Sequence, residues 1–124
     1  MKPQPIKVPP PQFTVTTDWP PPDIDYEFVA TDFDGTLFKN KFPEIGEPRQ
    51  QVIEWCLYQQ RKGAKIILHT CREAERLEAA IEECKKYGLF FDAVNENPFT
   101  PWALTEQSKK PYADIYLDDR AWRV

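Results

Sequence analysis

The sequence predicts an α/β domain built on a small parallel sheet. Three observations carry that reading. Short β-rich runs at residues 27–32, 65–69, 90–94 and 113–117 alternate with two stretches of helical periodicity. The second run, Lys65-Ile66-Ile67-Leu68-His69, is almost continuously apolar, as in a strand covered on both faces. Strands that alternate with helices form parallel β-α-β units with right-handed crossovers.

Taken in order, residues 1–25 form a proline-rich N-terminal arm and residues 26–124 the folded domain. Eight of the thirteen prolines lie in the arm, in runs such as Pro9-Pro10-Pro11 and Pro20-Pro21-Pro22. Such runs adopt extended polyproline conformations and cannot join a central strand. Between them, Phe13, Val15 and Thr17 alternate as in an edge strand, and Phe13 and Trp19 offer apolar anchors to the domain surface. Residues 38–46 show neither helical nor strand period. A helix is expected from Glu47-Pro48, because proline suits a first helical turn. Val52, Ile53, Cys56 and Leu57 form its apolar stripe and Gly63 its stop. Residues 72–87 form the second helix, with Leu77, Ala80, Ile81, Cys84 and Tyr87 inward and Gly88 at its end. A loop with Pro98 and Pro101 and a short helix over residues 103–108 lead to the last strand.

Composition narrows the function classes. A formal net charge of −4 supplies no basic field to steer the chain to nucleic acid. No apolar run is long enough to span a bilayer, and the N-terminus lacks the apolar core of a signal peptide. Three cysteines, Cys56, Cys71 and Cys84, show no metal-ligand spacing, so reduced thiols and a cytoplasmic location are expected.

Polar groups gather where the strands end. The first ends in Asp32-Phe33-Asp34-Gly35-Thr36, and in an extended segment side chains two apart point to one side. Two carboxylates so close repel, and they need a cation or a shared proton. The second strand ends in His69-Thr70-Cys71-Arg72, a hydroxyl followed by N–H groups at a helix start, which is an anion site. The last ends in Asp118-Asp119, and Lys109-Lys110 precede it. Parallel sheets bind ligands beyond the carboxyl ends of their strands. Oxygen donors, a hydroxyl and a cation there suit a phosphate held on a magnesium ion. Read singly, Thr70 is a helix N-cap and His69 a buried structural residue, while Arg72 either binds a second anion or starts the helix.

In this arrangement the chain resembles the haloacid dehalogenase superfamily of phosphohydrolases, over about residues 26–122. Asp32-Phe33-Asp34-Gly35-Thr36-Leu37 matches its first motif, Thr70 its second, Lys109 or Lys110 its third, and Asp118-Asp119 its acidic fourth. The phrasing is most like the small bacterial and phage hydrolases of that superfamily. The resemblance implies a Rossmann-like three-layer α/β/α domain and a magnesium-dependent phosphomonoesterase. Asp32 is then the nucleophile that forms an aspartyl-phosphate, and Asp34 the general acid and base. Thr70, the N–H groups at Cys71 and Arg72, and Lys110 hold the phosphoryl group. Lys110 is preferred to Lys109 because it directly precedes Pro111, as this lysine often does in the superfamily. Asp32, Asp34 (through its carbonyl), Asp118 and Asp119 surround the magnesium ion.

The chain departs from the superfamily in two ways. Neither residues 38–46 nor the stretch after the second helix could fold as a cap domain. The sequence also stops soon after the fourth motif, which leaves a sheet edge that residues 13–17 or a second copy of the chain are expected to cover. The expected substrate is a small phosphate ester, with a nucleotide or a sugar phosphate both open. A non-catalytic binding protein that kept the fold and a phosphotransferase are the alternatives.

Overall fold

The computed structural model describes residues 19–100 and 111–118. Its core is a parallel sheet of four strands: β1 (Phe28–Thr31), β4 (Lys65–Leu68), β5 (Ala93–Val94) and β6 (Ile115–Leu117), in the order β5-β4-β1-β6. Every residue of β1 is buried, as a central strand requires. Its neighbours stand in register, Thr31 opposite Leu68 on one side and Leu117 on the other. The sequence thus folds as expected into a Rossmann-like α/β domain.

Two helices, α1 (Gln50–Arg61) and α2 (Ala74–Lys85), carry the chain from β1 to β4 and from β4 to β5. Both steps move the same way along the sheet, so right-handed crossovers put both helices on one face. The side chains agree. Val29, Ile66, Leu68, Ile115 and Leu117 share one cluster with Val52, Ile53 and Cys56 of α1 and Ala80 and Cys84 of α2. Phe28, Ala30 and Ile67, one residue out of phase, face the other way and meet Ala113 and Tyr112. Phe99 stacks on Phe28 there, with ring centroids 6.3 Å apart. The helix expected over residues 103–108, which would complete a third layer, lies outside the described residues. β6 returns to the far side of β1, so the strand order reverses at β1.

Several boundaries differ from expectation for local reasons. Residues 38–46 are not irregular. They belong to an antiparallel hairpin, β2 (Phe38–Lys41) and β3 (Glu44–Pro48), turned by Phe42 and Pro43. Pro48 ends β3 rather than opening the helix. Arg49 takes the cap position, its N–H donating to the Leu37 carbonyl at 2.8 Å. The third strand shrinks to Ala93–Val94, because the Asp92 carboxylate takes the Ile66 N–H at 2.8 Å and Phe90 stands 55% exposed. The last strand shortens likewise: the Asp114 carboxylate accepts the N–H groups of Glu27 and Phe28 at 2.6 and 3.0 Å.

The end of the arm packs on α1. Trp19 and Tyr26 meet the Trp55 ring edge-on, at centroid distances of 6.0 and 5.6 Å. The Tyr26 hydroxyl donates to the Pro22 carbonyl at 2.6 Å. Burial, reinforced by Asp23, pushes that phenol up to about 12. Residues 13–17 lie outside the described residues. No helix among the described residues is long and apolar enough to cross a membrane.

The thiols give the first testable outcome. Cys56 and Cys84 are buried between the helices and the sheet, whereas Cys71 is exposed. Burial pushes the Cys84 thiol up to about 12 and raises Cys56 as well. An aromatic disulfide reagent at mildly alkaline pH is expected to modify one thiol rapidly in the native protein. The other two should react only after denaturation. Rapid reaction of all three would mean that this interface is open.

Candidate functional site at the carboxyl end of the sheet

Asp32 follows β1 directly. Its N–H continues the ladder to the Leu117 carbonyl at 2.9 Å, and its Oδ1 accepts the Phe33 N–H at 2.8 Å. Asp118 follows β6 in the same way. Because Thr31 and Leu117 are paired, Asp32 and Asp118 leave neighbouring strands at one level, about 4.8 Å apart by the spacing of a sheet. The order reversal at β1 makes this the crevice where parallel sheets place ligands.

After Asp32 the chain turns sharply. Gly35 has φ +87°, a left-handed value that a Cβ would penalise, and its N–H donates to the Phe38 carbonyl at 2.7 Å. The Phe38 N–H returns to the Phe33 carbonyl at 3.1 Å. This loop buries Phe33 and Leu37 fully and re-aims Asp34 away from the strand direction. The simple i, i+2 convergence of the two aspartates therefore gives way to a divided arrangement. Asp32 stays with β6, and Asp34 turns toward the end of β4.

There it meets Arg72. The guanidinium donates from Nε and Nη2 to the two carboxylate oxygens of Asp34, both at 2.8 Å. Nη1 donates to the Pro43 carbonyl at 3.1 Å and Nη2 to the Glu44 carbonyl at 2.9 Å. Four of the five guanidinium N–H donors are thus used within the protein. The Arg72 side chain is 1% exposed and that of Asp34 18%, so this pair is well desolvated. Phe33 and Phe42 each lie 5.1 Å from the guanidinium carbon. Arg72 does not start α2, which begins at Ala74, so that reading of the sequence is corrected; its guanidinium is buried against Asp34.

Thr70 is buried, and its Oγ1 accepts the Arg72 N–H at 3.1 Å. It is not a helix cap, because α2 begins four residues later at Ala74. The Thr70 N–H is held by Oδ1 of Asn95 at 2.8 Å. Asn95 was not singled out in the sequence. It sits just after β5 with φ +57°, a conformation that asparagine tolerates better than most residues. Cys71 is exposed beside Thr70. Lys109, Lys110 and Asp119 lie outside the described residues. Among the described residues, no three His, Cys, Asp or Glu side chains gather closely enough to hold a metal ion.

The fold and this arrangement define a small α/β domain with a carboxylate crevice at the reversal point of its sheet and an arginine-fastened hairpin beside it. No protein-family model matches the sequence, and no functionally curated protein does. Among solved structures the chain is similar to a conserved protein from Bacteroides thetaiotaomicron. The two are 37% identical over 75% of each chain, with a TM-score of 0.64. The chain belongs to the same family as that protein.

Proposed function

We propose that this chain is a magnesium-dependent phosphomonoester hydrolase of the haloacid dehalogenase type. The observation that supports it most is the placement of Asp32 and Asp118 at the ends of the paired strands β1 and β6, with the Asp32-Phe33-Asp34-Gly35-Thr36 turn between sheet and hairpin. These are hard oxygen donors of the kind magnesium takes. The Asp32 and Asp118 carboxylates and the Asp34 carbonyl suit it, and Asp119 would add a further oxygen. The Asp34 carboxylate does not join them, since both its oxygens accept from Arg72. A bound magnesium ion would neutralise charge that accumulates around a transferring phosphoryl group.

The chain's own residues do the rest. A carboxylate oxygen of Asp32 attacks phosphorus as the ester P–O bond breaks, which divides one displacement into two easier ones. Asp34 enters this step protonated, its oxygens still accepting from Arg72, and gives that proton to the departing oxygen; the carboxylate so formed, paired with Arg72, then takes a proton from the water that cleaves the aspartyl-phosphate. Arg72 uses one acceptor site on each Asp34 oxygen and leaves one on each for that proton. Thr70 is read as giving its hydroxyl hydrogen to the phosphoryl oxygens: its Oγ1 accepts the Arg72 N–H, and the Thr70 N–H is held by Asn95, so the backbone donor this reading uses is the Cys71 N–H. Lys110 supplies the cation for those oxygens.

A panel of nucleotides, sugar phosphates and para-nitrophenyl phosphate, assayed with magnesium and with a chelator, tests the reading. Phosphate release is expected with magnesium. Its rate should fall roughly 100-fold or more in chelator, because such a cation contributes several kcal/mol to the transition state. Calcium should not substitute, since its looser geometry would engage both oxygens of the attacking carboxylate. Release that persists undiminished in chelator, or no release from any ester, overturns the proposal.

A further inference from the structure

We propose that Arg72 is a positioning residue that fastens the β2–β3 hairpin over the carboxyl end of the sheet and orients Asp34 through the same guanidinium. Three segments meet on this one group. They are the turn after β1 (Asp34), the tip of the hairpin (Pro43 and Glu44) and the loop after β4 that carries Arg72 itself. Neutralising Asp34 needs only the ion pair. The two carbonyl contacts reach across to the hairpin, and Phe42 of its tip covers the guanidinium from 5.1 Å. Phe42 remains 54% exposed, and the Arg76 guanidinium of α2 lies 5.5 Å from its ring. The hairpin tip is therefore held on the site by the arginine far more than by burial of its own side chains.

One consequence follows from the desolvation. If the hairpin lifts, Arg72 loses two acceptors and an aromatic cover in a place with little water. If Asp34 swings away, the cation loses its counter-charge. The position of the hairpin and the orientation of Asp34 are thus a single equilibrium. The planar fork is what permits this, because a lysine ammonium cannot span a carboxylate and two carbonyls in that geometry.

The mechanical half of this proposal stands on geometry alone, and its kinetic half rests on the phosphohydrolase reading. Hydrogen exchange of residues 40–44 is measured in the full chain for the wild type, Arg72→Met and Asp34→Asn. Exchange there is expected to rise about tenfold or more in both variants, with α1 and β4 unchanged, as for a local opening. Asp34→Asn keeps the side-chain volume and so serves if Arg72→Met fails to fold. In the kinetic arm, Arg72→Lys should lower kcat roughly 10- to 100-fold with KM within about twofold, because a misplaced acid–base group slows the chemical step but not binding. The loss should be larger on an alkyl phosphate than on para-nitrophenyl phosphate, whose leaving oxygen needs less help from an acid. Unchanged hairpin exchange in both variants overturns the proposal. So does a raised KM with kcat preserved, which would make Arg72 a direct ligand of the substrate anion. If the wild type hydrolyses no ester, the phosphohydrolase reading falls, and the exchange arm still decides whether Arg72 links hairpin and Asp34.

Discussion

Asp32→Asn is expected to abolish phosphoester hydrolysis while the protein stays folded. The amide has nearly the same shape as the carboxylate but lacks the charged oxygen that attacks phosphorus. Removing a covalent nucleophile from a site whose groups act together costs at least about 10⁴-fold in kcat. The fold has little reason to respond. The Asp32 N–H that continues the ladder to Leu117 is backbone, and an asparagine Oδ1 can still accept the Phe33 N–H. Circular dichroism and a melting temperature within a few degrees of wild type should accompany the loss. Activity within tenfold of wild type in a folded variant would remove Asp32 as nucleophile. Unfolding of the variant would instead show that Asp32 is needed to build the turn.

The sheet was legible in the sequence because its strands are short, apolar and buried on both faces, so periodicity and burial say the same thing. β1 and β4 appear within a residue of where their apolar runs lie. The motif residues Asp32 and Asp118 were legible for a related reason, since they stand where apolar runs stop. The hairpin was not. Only Phe38 of β2 is buried, and Lys39, Asn40 and Lys41 are exposed, so no alternation marks the strand. What its tip touches lies elsewhere in the chain, in the Arg72 guanidinium. That contact was invisible too. Asp34, Pro43 and Glu44 are 38, 29 and 28 residues from Arg72, and nothing local to Arg72 names them. Asn95 was missed for the same cause, because its partner Thr70 is 25 residues away. Local pattern thus located the elements and the acidic ends of the strands. The polar contacts that join loops over the site are set by tertiary packing, which a period of two or 3.6 does not encode.

Gly46→Ala is expected to damage the hairpin out of proportion to the one methyl group it adds. Between the pairs Asn40–Ile45 and Phe38–Pro48, a single residue of β2, Lys39, faces two of β3, Gly46 and Glu47. This is a β-bulge, and it brings the Lys39 backbone against Gly46. A Cβ at position 46 would lie 2.1 Å from the Lys39 carbonyl oxygen and 2.9 Å from its carbon. Both atoms belong to the backbone, so no rotamer change relieves the clash and the two strands must separate or slip. Overpacking of this kind costs about 1–3 kcal/mol. A domain of this size should then melt roughly 5–10 °C lower. The site should feel it as well, since the strand that slips leads directly to Glu44 and Pro43, which Arg72 holds. Hydrogen exchange of residues 40–44 should therefore rise in Gly46→Ala as it does in Arg72→Met. Gly63→Ala makes the contrast. At that position an added Cβ meets nothing within 4 Å, and the penalty comes only from the left-handed φ of +107° at the end of α1. It should lower stability by about 1 kcal/mol and leave both hairpin exchange and turnover per folded molecule unchanged. Equal effects of the two substitutions on the hairpin, or a wild-type melting temperature for Gly46→Ala, would show that β2 and β3 are not packed at the separation described.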